Sequence, residues 1–143
     1  MKLVLDTTIY ADYAEGLPEI VDMMVTRGEQ IFIPSIVLGE LYYGFMKVRR
    51  HGYNEKKLLE IIERLQVEVI QVNGDVARKY ALIYLSLRRK GTKIAINDVW
   101  IAACCMEVGG TLLTRDKHFK YVDQIDSIVL DHENTKERRK EKQ

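Results

Sequence analysis

The sequence predicts an α/β domain built on a mostly parallel sheet, and three observations carry that prediction. Apolar runs such as Leu3-Val4-Leu5 are too short for helices and have the unbroken hydrophobicity of strands buried on both faces. Between them lie segments with helical periodicity, where antiparallel neighbours would need only a tight turn. The length, 143 residues, is that of one ordinary domain with its own core. Strands separated by helices pair in parallel through right-handed crossovers.

The elements follow in order. Leu3-Val4-Leu5 is the first strand, ended by Asp6-Thr7-Thr8. Thr8 to Glu15 reads as a short helix, and after the break at Gly16 and Pro18 the helical pattern resumes from Glu19 to Arg27. Gln30-Ile31-Phe32-Ile33 is a second strand, stopped by Pro34. Ser35 suits the N-cap of a helix through about Arg50, with Val37, Leu41, Phe45 and Val48 as its core stripe. Gly39 and Gly44 lie inside it, each costing about 1 kcal/mol relative to Ala, which implies that another backbone or a ligand comes close to that helix. Asn54 is placed to cap the next helix, whose stripe is Leu58, Ile61, Ile62 and Leu65.

Val67 to Val72 alternates like a third strand at a sheet edge. Gly74 to Arg89 is strongly amphipathic, with Val76, Tyr80, Ile83, Tyr84 and Leu87 inward. Asn97 reads as the cap of a helix through about Val108 that is apolar nearly all round and stops at Gly109-Gly110. Thr111-Leu112-Leu113-Thr114 is a fourth strand, Arg115 to Lys120 a polar turn or short helix, and Ser127-Ile128-Val129-Leu130 a fifth strand. Residues 1–130 form the domain; residues 131–143 are a charged C-terminal tail, either a solvated helix end or disordered.

Composition narrows the function. A chain that is 47% hydrophobic and 30% charged, with a net charge of +1, is neither disordered nor a uniformly basic nucleic-acid binder. Cys104 and Cys105 are adjacent within an apolar run, which suits reduced core residues and not zinc ligands. No run approaches the ~18 apolar residues of a membrane span, and Asp6 interrupts any signal-peptide core. A cytoplasmic protein is expected.

Four acids stand against apolar surroundings. Asp6 follows the first strand, where it suits a helix cap or a site at the carboxyl edge of the sheet. Glu40 flanks the Val37/Leu41 stripe; it is either a solvated residue, pairing with Lys47 or Lys2, or a site acid. Asp98 is the only charge from Ile94 to Met106. Complementing the helix dipole explains its position but not its isolation, because a carboxylate on so apolar a helix calls for a charged partner or a metal. Asp116 follows the fourth strand, as a turn residue or a site acid. Gathered at one edge, with Glu40 and Asp98 in the first turns of their helices, four carboxylates would raise one another's pKa values, and a divalent cation would relieve that repulsion. All-oxygen ligands select Mg²⁺ or Mn²⁺, which polarise phosphoryl oxygens and activate water for in-line attack.

The segments Leu3-Val4-Leu5-Asp6-Thr7-Thr8, Gly39-Glu40-Leu41, Asn97-Asp98-Val99-Trp100-Ile101-Ala102-Ala103 and Leu113-Thr114-Arg115-Asp116-Lys117-His118-Phe119 together resemble a PIN domain, and more narrowly a VapC-type toxin ribonuclease. Each segment is short; four in the right order and spacing are specific. The resemblance implies a three-layer α/β/α sandwich with strand order 3-2-1-4-5 and a metal-dependent RNA endonuclease leaving a 5′-phosphate and a 3′-hydroxyl. It also implies homodimers and a cognate antitoxin that covers the site. The family's acidic site maps onto Asp6, Glu40, Asp98 and Asp116, with Thr7 and Thr114 as supporting hydroxyls. Relatives often carry a further acid where this chain has His118.

On that reading Thr7 or Thr8 keeps the cap role and frees Asp6. Arg88, Arg89, Lys90, Lys93, Arg115, Lys117 and Lys120 become candidate RNA-backbone contacts, with ordinary solvated charge as the other reading for each. Tyr42, Tyr43 and Trp100 would stack on bases or pack in the core or at a dimer interface. The competing function is a non-catalytic PIN scaffold that binds RNA or a protein partner. Related α/β folds fit less well. A dehalogenase-type phosphatase needs Asp where Thr8 stands, a receiver domain needs Asp near Val72, and a dinucleotide site needs glycines after the first strand.

Overall fold

A computed structural model describes residues 1–131 of the chain. Its elements are β1 (Lys2–Leu5), α1 (Thr7–Ala14), α2 (Pro18–Arg27), β2 (Gln30–Pro34), α3 (Ser35–Met46), α4 (His51–Leu65), β3 (Glu68–Ile70), α5 (Gly74–Arg89), α6 (Ile96–Val108), β4 (Thr111–Thr114) and β5 (Asp126–Val129), with a 3-10 turn at Lys117–Tyr121. The five strands form one sheet in the order β3-β2-β1-β4-β5, and every pairing is parallel. The expected strand order and parallel sheet are both present, and β3 lies at an edge.

β1 is the centre of the sheet. Leu3 registers with Ile31 on β2 and with Thr111 on β4, and Val4 with Phe32 and Leu112. Leu3, Val4 and Leu5 are buried among Ile9, Ile33, Leu112 and Leu113, as an apolar strand covered on both faces must be. The chain winds outward from β1 to β2 and β3, then returns past β1 to β4. The strand order therefore reverses beside β1, and the crevice at the carboxyl ends of β1 and β4 is where ligands of open α/β sheets bind.

α6 is the helix the sequence marked as apolar all round, and it packs along α5 while also meeting α3, β2 and β4. Cys104 and Cys105 on it are free and fully buried, as expected, and burial pushes the Cys105 thiol up to about 12. Gly109 ends the helix at φ +63, and Gly110 then passes so close to β1 that a Cβ there would meet Val4 Cγ2 at 2.7 Å.

Several local expectations are corrected. α3 stops at Met46, short of Arg50, and Val48 is 49% exposed outside the core stripe. The cap positions of α3 and α6 are Pro34 and Ala95, with no side-chain cap bond, in place of Ser35 and Asn97. Asn54 lies inside α4, which begins at His51. A cap that the sequence reading passed over is Asn73, whose Oδ1 accepts from the Val76 N–H at the start of α5. Gly39 and Gly44 face open space, so no backbone among the described residues comes close to them. Among the described residues no helix is long and apolar enough to cross a membrane. The charged tail lies, after Asp131, outside the described residues.

Candidate active site

Asp6 leaves β1 with extended backbone and caps α1 itself: its Oδ1 accepts from the Thr7 N–H at 2.8 Å. The expectation that Thr7 or Thr8 would hold the cap is thus corrected, because the Thr7 hydroxyl is spent elsewhere, donating to Glu40 Oε1 at 3.1 Å. The other Asp6 oxygen accepts from Thr114 Oγ1 at 2.6 Å, and the same hydroxyl accepts from the Asp116 N–H at 3.0 Å. Both threonines singled out in the sequence therefore hold site carboxylates.

Asp98 stands in the first turn of α6, as expected, whereas Glu40 is one turn deeper in α3 than the sequence reading placed it. Neither lysine proposed as a partner for Glu40 reaches it. Lys2 donates to the Val108 carbonyl, and Lys47 lies over the Tyr43 ring. Asp116 caps the 3-10 turn through the His118 N–H and also meets His118 Nδ1 at 2.8 Å. All four acids, with Thr7, Thr8, Arg115, Lys117 and His118, line one open cavity of ≈ 550 Å³.

The carboxylates repel one another. Burial raises the Asp6 and Glu40 pKa values, against the bonds from Thr114, Thr7 and the α1 backbone, and each also feels a neighbouring acid. Asp98 moves furthest, to about 7, through burial first and then the charges of Asp116 and Asp6, a hydrogen bond with Asp116, and the charge of Glu40.

The basic and aromatic candidates divide. Arg115 is no surface contact: it is 2% exposed, and its Nε donates to Asp12 Oδ2 at 2.7 Å. Asp12 is the polar residue the sequence reading missed. Its signal was position, three residues after Ile9 and so on the helical face that enters the core. Lys90 is committed to Asp123 and to the Tyr121 carbonyl. Arg88, Arg89, Lys93, Lys117 and Lys120 are exposed, and Arg88 and Lys93 line a neighbouring cavity of ≈ 370 Å³ under the α5–α6 loop. Trp100 stacks on Tyr80 with ring centroids 4.0 Å apart, so its packing role prevails. Tyr42 packs edge-on against Phe45, and Tyr43 is exposed.

A parallel sheet in this order, with four acids at its reversal point, defines a class of protein. The model of the PIN domain matches residues 3–125, and the chain belongs to the PIN-domain family. Within it, this chain is 32% identical to Ribonuclease VapC2 of Rickettsia felis over 110 residues, 76% of this chain and 78% of that protein. The structure of VapBC2 from Rickettsia felis, bound to a DNA fragment from its promoter, superposes with a TM-score of 0.78 at 26% identity, covering 92% of this chain and 100% of that one. DNA-bound VapBC from Salmonella typhimurium also gives a TM-score of 0.78, at 27% identity over 90% of this chain and 98% of that one.

Proposed function

We propose that this protein is a metal-dependent endoribonuclease and the toxin half of a toxin–antitoxin pair, working in the cytoplasm as a homodimer. The observation that carries the reading is the crowding of Asp6, Glu40, Asp98 and Asp116 around one cavity at the carboxyl edge of the sheet. Burial first, and then repulsion from the neighbouring acids, lifts Asp98 to about 7, an arrangement that costs stability and that a nuclease site explains. Similarity to proteins called VapC ribonucleases, whose solved complexes pair them with a VapB partner, supports RNA as substrate and an antitoxin as partner.

The donor set suits Mg²⁺ or Mn²⁺: every candidate ligand is a hard oxygen, and the local charge is strongly negative. Among the described residues no three acid, histidine or cysteine side chains are gathered closely enough to hold an ion as placed. The match is therefore one of chemistry and charge. When bound, the cation polarises the scissile phosphoryl group and lowers the pKa of water.

The residues have separable tasks. Asp6, Glu40, Asp98 and Asp116 would hold the ion, and their remaining oxygens orient and deprotonate the attacking water. Thr114 and Thr7 fix the Asp6 and Glu40 carboxylates. Water adds to phosphorus and loses its proton to a carboxylate. The bond to O3′ breaks, and that oxygen takes up a proton to leave a 3′-hydroxyl and a 5′-phosphate. Exposed Lys93, Lys117 and Lys120 are available to the RNA backbone.

The test is RNA cleavage with and without Mg²⁺ or Mn²⁺ by the wild type, Asp6→Asn and Asp98→Asn. Each substitution should lower turnover by about 100-fold or more. Equal cleavage by all three proteins would sink the assignment. RNA binding with no cleavage under any condition would instead make the chain a scaffold.

A further inference from the structure

The buried charge pair formed by Asp12 and the cavity-lining Arg115 has no place in the chemistry above. Asp12 is 0% and Arg115 2% exposed, and Arg115 Nε meets Asp12 Oδ2 at 2.7 Å. Arg115 Nη1 also donates to the Asp131 carbonyl at 2.7 Å, beyond β5. Its Nη2 is buried without a hydrogen-bond partner among the described residues. Such a pair is weak grounds for stability, because well-packed apolar replacements of buried ion pairs are often neutral or stabilising. Its position is more informative. Asp12 lies on α1, the helix capped by Asp6 and begun by Thr7, and Arg115 lies between Thr114 and Asp116. The pair therefore clamps together the two segments whose site side chains are Asp6 and Thr7 on one and Thr114 and Asp116 on the other.

We propose that Asp12 and Arg115 are a positioning pair that sets the spacing between the Asp6 and Asp116 carboxylates. The proposal rests on the nuclease reading of that site. Its geometric link is short: Arg115 fixes the loop after β4, and Thr114 in that loop bonds Asp6 and the Asp116 N–H at once. A shift of the loop moves one carboxylate against the other. Groups that orient ligands of a metal site typically change affinity or activity by roughly 10–100-fold when lost.

The test is the double variant Asp12→Leu/Arg115→Met, which removes the charges and keeps the volume apolar. The proposal expects a thermal midpoint near that of wild type, with kcat for RNA cleavage down roughly 10–100-fold, KM within about twofold, and Mn²⁺ alone binding more weakly by calorimetry. Arg115→Lys, which keeps a cation beside Asp12 but loses the fork to Asp131, should recover part of the kcat. A folded double variant with wild-type kcat and Mn²⁺ affinity overturns the proposal. If the double variant does not fold, Arg115→Lys decides: a wild-type kcat overturns the proposal, and a reduced kcat at unchanged KM upholds it. A wild type that neither cleaves RNA nor binds Mn²⁺ overturns the nuclease reading and this proposal with it. A wild type that cleaves while the folded double variant cleaves equally overturns this proposal alone.

Discussion

Thr114 donates a 2.6 Å hydrogen bond to Asp6 across 108 positions of sequence, and both residues are buried. The bond ties the end of β4 to the end of β1, the two strands that flank the reversal of the sheet. Thr114→Val should leave a carboxylate oxygen without its donor. The expected loss is about 1.5–3 kcal/mol of stability, the range for hydrogen bonds to charged groups. Urea denaturation measures it, and Thr114→Ser should retain most of the stability. A Val variant as stable as wild type would mean that the hydroxyl holds nothing in solution.

Asp98 makes the site sensitive to pH. It ionises at about 7 in the folded protein against 3.8 for the reference carboxyl, so the folded state binds this proton more tightly. The stability it contributes is present below about pH 4 and lost as pH rises through about 7. Asp98→Asn cannot ionise. Its stability relative to wild type should therefore grow between about pH 4 and about pH 7, then level off. A difference that is flat across that window would show that Asp98 ionises as an ordinary carboxylate.

Cation binding should reverse that penalty, because the ligands must be deprotonated to hold the ion. At a free Mn²⁺ concentration about 100 times its Kd, the wild type should gain about 2.7 kcal/mol of unfolding free energy. The gain should shrink below neutrality and nearly vanish in Asp98→Asn. Thermal melts with and without Mn²⁺ read it directly, and an equal shift in both proteins would place the ion elsewhere.

What the sequence made legible was whatever repeats at the period of its element. Leu3-Val4-Leu5 announced a doubly covered strand because nothing polar interrupts it, and Asp98 announced a site by being charged where every neighbour is apolar. Helix starts were less legible. Ser35 and Asn97 are good caps, yet a cap is worth about 1 kcal/mol, and an apolar helix such as α6 is held chiefly by packing. The Asp12–Arg115 pair was hidden for another reason. It joins residues 103 apart, and although the spacing from Ile9 puts Asp12 on the core face of its helix, nothing local names Arg115 as its partner.

The glycines separate tolerance from close packing. A methyl group on Gly110 would stand 2.7 Å from Val4 Cγ2 and 3.2 Å from the Lys2 carbonyl, so Gly110→Ala should cost about 1–3 kcal/mol. Gly44 is inside α3 with open space beyond it, and Gly44→Ala should stabilise by about 1 kcal/mol. Chemical denaturation of the two variants should therefore move in opposite directions, and a shift of the same sign would contradict the packing described for one of them.

The exposed lysines give the last prediction, and the buried arginine is its control. RNA binding by a phosphate-tracking surface weakens with salt, with a slope in log–log form of about −0.7 for each single-strand phosphate neutralised. Lys117 lines the acidic cavity and is exposed, and Lys93 is exposed in the loop before Asp98. Lys117→Ala and Lys93→Ala should each flatten the salt slope by about 0.7, with little change in stability. Arg115→Lys should leave the slope unchanged, because a side chain committed to Asp12 and the Asp131 carbonyl cannot also meet a phosphate. Fluorescence titration of a labelled single-stranded RNA over a range of KCl separates these outcomes. Should Arg115→Lys flatten the slope while the two lysine variants do not, the RNA would have to enter from the opposite side of the β4 loop.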